Sequence, residues 1–199
     1  LRWLLQPHCV HNAAALSAMA DFVTILRQRS SEYLLHGDDV ITTIQVLQSG
    51  LQSRSHLVRL NCLILLNAFE PLAYSQRQND SAAGIVSASF KGPCTVVDIL
   101  LQIEQLSLSL QVERDRESLL RRLETLLRSG CFPSHYLSLT AHYLFGMFHI
   151  KFSRSWVSVQ DVLVTLARSN FSHVWNSALL QIELVRAASK STAYEPNKI

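Results

Sequence analysis

The chain has 199 residues, of which 48% are hydrophobic and only 17% charged. That excludes a disordered polypeptide and leaves one large domain or an array of repeats with a sizeable core. A formal net charge of +3 is compatible with RNA nearby but does not by itself point to it.

The first residue is Leu1, and Trp3-Leu4-Leu5 already lies in an apolar stretch, which reads as an internal segment of something longer. Ala13 to Arg27 reads as a helix, with Leu16, Met19, Ala20, Val23 and Leu26 on one face. Asp38 and Asp39 are candidate caps for a second helix carrying Ile41, Ile44, Leu47 and Leu51, with Gly50 loosening its end. Ser53 or Ser55 opens a third, apolar almost all round from Leu57 to Ala68, as suits a helix sandwiched between neighbours, and Pro71 is expected just beyond its end. Residues 74–93 are polar and punctuated by Gly84, Gly92 and Pro93, a loop expected to be disordered.

Helical periodicity returns at Val96 or Val97 and runs to Leu110. Glu113 to Arg128 is the most charged helix, with the favourable i,i+4 pairs Glu117–Arg121 and Glu124–Arg128. Arg121 and Arg122 stand on its polar side, where phosphate contact competes with an ordinary solvated face. A helix from Pro133 or Ser134 to about Ile150 follows, then one from Ser155 to Arg168. The last carries Phe171, Val174, Trp175, Ala178, Leu179, Ile182 and Val185. Trp156 and Trp175 fall on apolar faces and are expected in the core. Residues 189–199 read as a tail or linker.

The fold class expected is all-α. It is a HEAT- or armadillo-like solenoid segment of about eight helices in antiparallel pairs, with a compact bundle as the alternative. The repeats span 1–73 and 94–188 on either side of the loop. Six Gly and five Pro are too few for an all-β domain, and the preponderance of Leu favours helices. The uncharged run from Ser129 to Ile150 is long enough to span a bilayer, but Pro133, His135, Ser138, Thr140, His142 and His149 argue against it.

No catalytic constellation emerges. His135, His142 and His149 recur every seventh residue, about 10 Å apart on a helix and too far for one ion. They read as a polar strip on a buried helix. His8, Cys9 and His11 lack partners at zinc spacing, and Cys62, Cys94 and Cys131 are isolated, as reduced buried thiols would be. There is no nucleophile elbow and no glycine-rich phosphate loop. The expectation is a non-enzyme without cofactor or metal.

Three segments carry a family resemblance. They are Tyr143-Leu144-Phe145-Gly146-Met147-Phe148-His149-Ile150-Lys151-Phe152-Ser153-Arg154-Ser155-Trp156, then Phe171-Ser172-His173-Val174-Trp175, and upstream Leu57-Val58-Arg59-Leu60-Asn61-Cys62-Leu63-Ile64-Leu65-Leu66-Asn67-Ala68-Phe69. From about Leu57 to Ser189 the chain resembles the N-terminal part of the down-regulated-in-metastasis family. These are very long HEAT-repeat proteins of the small-subunit processome, associated with the U-three small nucleolar RNA particle. The resemblance implies a nucleolar scaffold in small-subunit ribosomal RNA processing. Its implied partners are other processome proteins, pre-ribosomal RNA and the small nucleolar RNA particle, with no membrane and no small-molecule substrate. It carries no catalytic residues over. Gly146 would let a neighbouring helix approach, and Trp156 would pack back at the corner. Lys151 and Arg154, at the turn, join Arg121 and Arg122 as candidate RNA or protein contacts. The competing functional class is a HEAT adaptor of transport type that binds peptides.

Overall fold

A computed structural model describes residues 10–29, 37–80, 96–106, 113–128, 134–150 and 153–192. These residues form seven helices and no strand, so the chain is all-α as expected. The helices are α1 (Ala13–Arg29), α2 (Gly37–Gly50), α3 (His56–Asp80), α4 (Val96–Gln105), α5 (Glu113–Arg128), α6 (Ser134–Met147) and α7 (Ser153–Thr192).

Local chemistry sets the ends of the first three. Asn12 caps α1, its side-chain oxygen accepting from the amides of Ala14 and Ala15 at 3.0 and 3.2 Å. The turn between α2 and α3 is tightened by Ser53, whose hydroxyl accepts from the Ser55 amide at 3.2 Å. Gly50 does more than loosen the end of α2. It is buried, and a Cβ there would crowd the Cys62 thiol and the Val10 side chain.

Several boundaries differ from the sequence reading. The second helix already begins at Gly37, so Asp38 and Asp39 lie within it, and the fourth stops at Gln105, short of Leu110. The last runs to Thr192, into the stretch expected as tail. The third helix continues through Pro71 to Asp80, into the stretch expected as loop. Proline costs a helix interior one hydrogen bond and a clash. Here the long apolar run up to Ala68 anchors the helix, and Gln76, Arg77 and Gln78 are good helix formers. The sixth helix ends at Met147. Phe148, His149 and Ile150 form a tighter turn, their amides bonding three residues back to Phe145, Gly146 and Met147. His149 therefore leaves the strip it was expected to share with His142. The two helices expected around residues 155–168 and 171–185 are joined as α7, interrupted only at Asn170, whose φ of −146° and ψ of 59° are non-helical. The loop residues 81–93 and tail residues 193–199 lie outside the described residues.

Packing runs between sequence neighbours and next neighbours. Helix α3 lies against α1, α2 and α4, and α7 lies against α5 and α6, with α4 touching both α5 and α6. One further contact, α2 with α6, ties the early helices to the late ones. The apolar stripes read from the sequence supply the core. Leu16, Met19, Ala20 and Val23 of α1 and Leu120, Leu123 and Leu127 of α5 are buried, as are Val159, Val162 and Leu166 of α7. Each of the buried Leu, Met and Val side chains among them contributes roughly 1.5–3 kcal/mol through burial.

Candidate functional site

The middle of the molecule holds an ionic cluster that sequence reading missed. Arg59 of α3 is 2% exposed and Tyr143 of α6 is fully buried. Between them the carboxylate of Glu104, on α4, is 1% exposed. Arg59 donates from Nε at 3.0 Å and pairs through its terminal nitrogen at 2.8 Å, both to Glu104 Oε1. The Tyr143 hydroxyl donates to Oε2 at 2.9 Å. His56, half exposed, closes the cluster with Nδ1 2.8 Å from Oε1. The remaining Arg59 nitrogen donates to the Ser53 carbonyl at 2.8 Å and to that of Arg54 at 3.3 Å.

One buried guanidinium thus fastens α3, α4 and the α2–α3 turn, and Glu104 extends the hold to α6. Burial, and then the charge of Glu104 and the hydrogen bond to it, push the Tyr143 hydroxyl well above the usual phenol range. Arg59, Glu104 and Tyr143 are paired and shut from solvent, and only the half-exposed His56 reaches the surface from the cluster. Its chemistry is that of a clamp. Arg59 within an apolar helix and Glu104 within the apolar run from Val96 were the visible signals, since a buried charge requires a partner.

The α2–α3 turn is also held from the other side. The carbonyl of Leu51 lies where a Cβ on Gly146 would be, and the Arg59 side chain passes 3.1 Å from that position. The close approach that Gly146 permits is therefore that of a turn, not of a neighbouring helix. Gln52, buried, donates to the Ser177 carbonyl of α7 at 2.9 Å. His149 sits 2.9 Å from the amide nitrogen of Gln181 and bonds the Gln52 backbone. Burial first, and then the charges of Arg54 and Arg59, hold His149 below the usual imidazole range. A cleft of about 260 Å³ opens beside these groups, lined by His11, Ser49, Arg54, His149 and Gln181 among others.

The corner after Gly146 follows the sequence reading in one respect. Trp156 packs edge-on against Phe148, ring centroids 6.0 Å apart, and its indole nitrogen donates to the Ile150 carbonyl at 3.1 Å. It remains 38% exposed, so it covers the corner from outside. Trp175 departs further. It is 52% exposed and stacks on Phe171, itself 64% exposed, at 5.9 Å. Apolar spacing identified this face correctly, but no described element covers it.

The candidate contact residues do not converge on one site. Lys151 and the side chain of Arg154 lie outside the described residues. Arg121 and Arg122 are both exposed on α5. Arg121 pairs with Glu117 at 2.6 Å, and Arg128 with Glu124 at 2.6 Å. Glu124 also accepts from Thr165 of α7 at 2.9 Å, and the bonds from Arg128 and Thr165 hold its carboxyl below the usual range. Among the described residues Arg122 is thus the freer of the two candidate arginines. Among the described residues no group of three His, Cys, Asp or Glu side chains is placed to hold a metal ion. Nor is any helix among them long and apolar enough to cross a membrane. Cys62 is a buried free thiol, and Cys9, Cys94 and Cys131 lie outside the described residues.

No family model matches the chain, and neither the curated proteins nor the solved structures yield a match.

Proposed function

We propose that this chain is a segment of a HEAT-type solenoid that serves as a non-catalytic scaffold in the small-subunit processome. In that role it supports small-subunit ribosomal RNA processing in the nucleolus. The observation that carries the reading is the corner from Gly146 to Trp156. It is the most specific part of the resemblance to the down-regulated-in-metastasis family, and its residues have distinct physical tasks. Gly146 seats the Leu51 carbonyl, and Trp156 covers the turn through Phe148 and Ile150. Helices packed chiefly on near neighbours in sequence are what a solenoid needs. A buried clamp suits a load-bearing role.

In this reading the chain adjoins other processome proteins and lies near pre-ribosomal RNA and the small nucleolar RNA particle. Arg122, Arg121, Lys151 and Arg154 are its proposed contacts. The alternative, a helical adaptor that binds peptides, draws on the exposed face around Trp175. Expression of the tagged parent protein, imaged and then separated on a density gradient, decides between them. Nucleolar signal with co-sedimentation in large pre-ribosomal particles is expected. A protein outside the nucleolus that stays in the light fractions would sink the scaffold reading.

A further inference from the structure

The cleft between the α2–α3 turn and the second half of α7 has a volume of about 260 Å³, and the buried clamp makes no use of it. Among the described residues no carboxylate lines it, whereas Arg54 and His11, both exposed, do. Glu183 lies on the other side of α7 from Gln181 and Val185, which face the cleft. The acceptors nearby are engaged or hidden. The carbonyls of Ser53 and Arg54 accept from the buried Arg59. The side-chain oxygens of Gln52 and Gln181 are shut from solvent. Ser53 accepts from the Ser55 amide through its hydroxyl oxygen, which leaves the hydroxyl hydrogen to give. Beside Ser49, whose hydroxyl donates to the Val46 carbonyl, the cleft thus presents a fixed cation, an imidazole and a hydroxyl donor.

His149 records the field inside the cleft. It is tied to Gln181 and to the Gln52 backbone, so it belongs to the wall. After burial, the charges of Arg54 and Arg59 hold it below the usual imidazole range. The two cations therefore act within the recess, and a recess of uncompensated positive potential concentrates anions. Arg54 and His11 reach it from separate segments, the turn before α3 and the residues ahead of α1. Donors from separate directions suit a tetrahedral oxyanion better than a flat carboxylate, and a guanidinium recognises phosphate through paired N–H groups. The volume exceeds what a bare anion fills, and Leu184 and Val185 supply an apolar wall for an organic group attached to it.

We propose that this cleft binds a phosphate ester, with Arg54, His11 and Ser53 holding the phosphate and Leu184 and Val185 beside the group that carries it. The site shares no residue with the proposed RNA contacts and stands independently of the pre-ribosomal reading.

The test follows the His149 ring by nuclear magnetic resonance in the full chain while adenosine monophosphate is added. Adenosine, inorganic phosphate and acetate are titrated in parallel. An anion favours the charged imidazole, so adenosine monophosphate is expected to raise the pH at which His149 titrates, and adenosine to leave it unchanged. Arg54→Gln, at an exposed position, should weaken adenosine monophosphate at least ~10-fold with the circular dichroism unchanged, because hydrogen bonds from a charged group are lost. Without any ligand the same variant should raise the His149 midpoint, which checks the field separately. A short oligoribonucleotide bearing a terminal phosphate distinguishes the sources. If it shifts His149 at lower concentration than adenosine monophosphate, the phosphate belongs to RNA, and otherwise to a free nucleotide; either supports the site. A His149 ring that adenosine monophosphate does not move, or that adenosine moves equally, would overturn the proposal. So would binding that Arg54→Gln leaves unchanged, or acetate acting as strongly as inorganic phosphate.

Discussion

The carbonyl of Leu51 rests on the Cα of Gly146, so the turn after α2 is seated on the backbone of α6 with no side chain between them. In an open helix, Gly→Ala gains about 1 kcal/mol of propensity. Here the added methyl meets a backbone carbonyl, which a rotamer change cannot move aside. Gly146→Ala is expected to lose about 1–3 kcal/mol net, as overpacking does. Urea unfolding measures it, and a variant as stable as the parent would show that the turn can lift off α6 cheaply.

The Arg59–Glu104 pair is expected to be far more sensitive to losing one member than to losing both. Glu104→Gln keeps the shape but leaves a buried guanidinium without its counter-charge, at a cost of about 3–5 kcal/mol. Replacing Arg59 and Glu104 together by Met costs much less than the two single changes summed. Tyr143→Phe removes one hydrogen bond to a charged group, about 1.5–3 kcal/mol. A double-mutant cycle with additive terms would contradict the clamp.

His142 supplies a pH dependence. Burial lowers its imidazole to about 4, and Nδ1 has no hydrogen-bond partner among the described residues. Below pH 6.5 the unfolded chain takes up a proton that the folded chain refuses, so the contribution is full above that pH. It is lost as pH falls from 6.5 towards 4 and is constant below, up to about 3 kcal/mol in all. Unfolding midpoints measured across this range should fall more steeply for the parent than for His142→Asn. Parallel profiles would remove His142 as the cause.

The Cys62 thiol is pushed up to about 12 by burial. With almost no thiolate at neutral pH it should resist alkylation in the folded protein and react once denaturant is added. Site-resolved mass spectrometry after a maleimide pulse checks this. Rapid native labelling at Cys62 would mean that α3 opens readily from α1 and α2.

Helix identity was readable because it depends on local spacing. Leu16, Met19, Ala20 and Val23 recur at helical steps, and all four are buried. Pairing was not readable. Arg59 and Glu104 are 45 residues apart, and nothing in either segment says which charge meets which. The apolar period around Trp175 shows that a face wants a neighbour, not whether this chain provides it. The turn at Phe148–Ile150 escaped notice because apolar residues continue past the helix end, so periodicity overran Met147 and placed His149 one element too early. The seat for Leu51 was half visible: Gly146 announced a close approach, but only the folded chain shows that the visitor is a carbonyl.

The break at Asn170 divides α7 by allegiance. Before it, Val159, Val162 and Leu166 are spent on the chain's own interior; after it, Phe171, Trp175 and Ile182 are turned outward. A saturation screen of this helix should change its meaning at that residue. Upstream, intolerant positions would register as lost protein, with low abundance and early melting. Downstream, Ser177 would behave like those upstream, whereas the outward Phe171, Trp175 and Ile182 would tolerate change with normal abundance and melting.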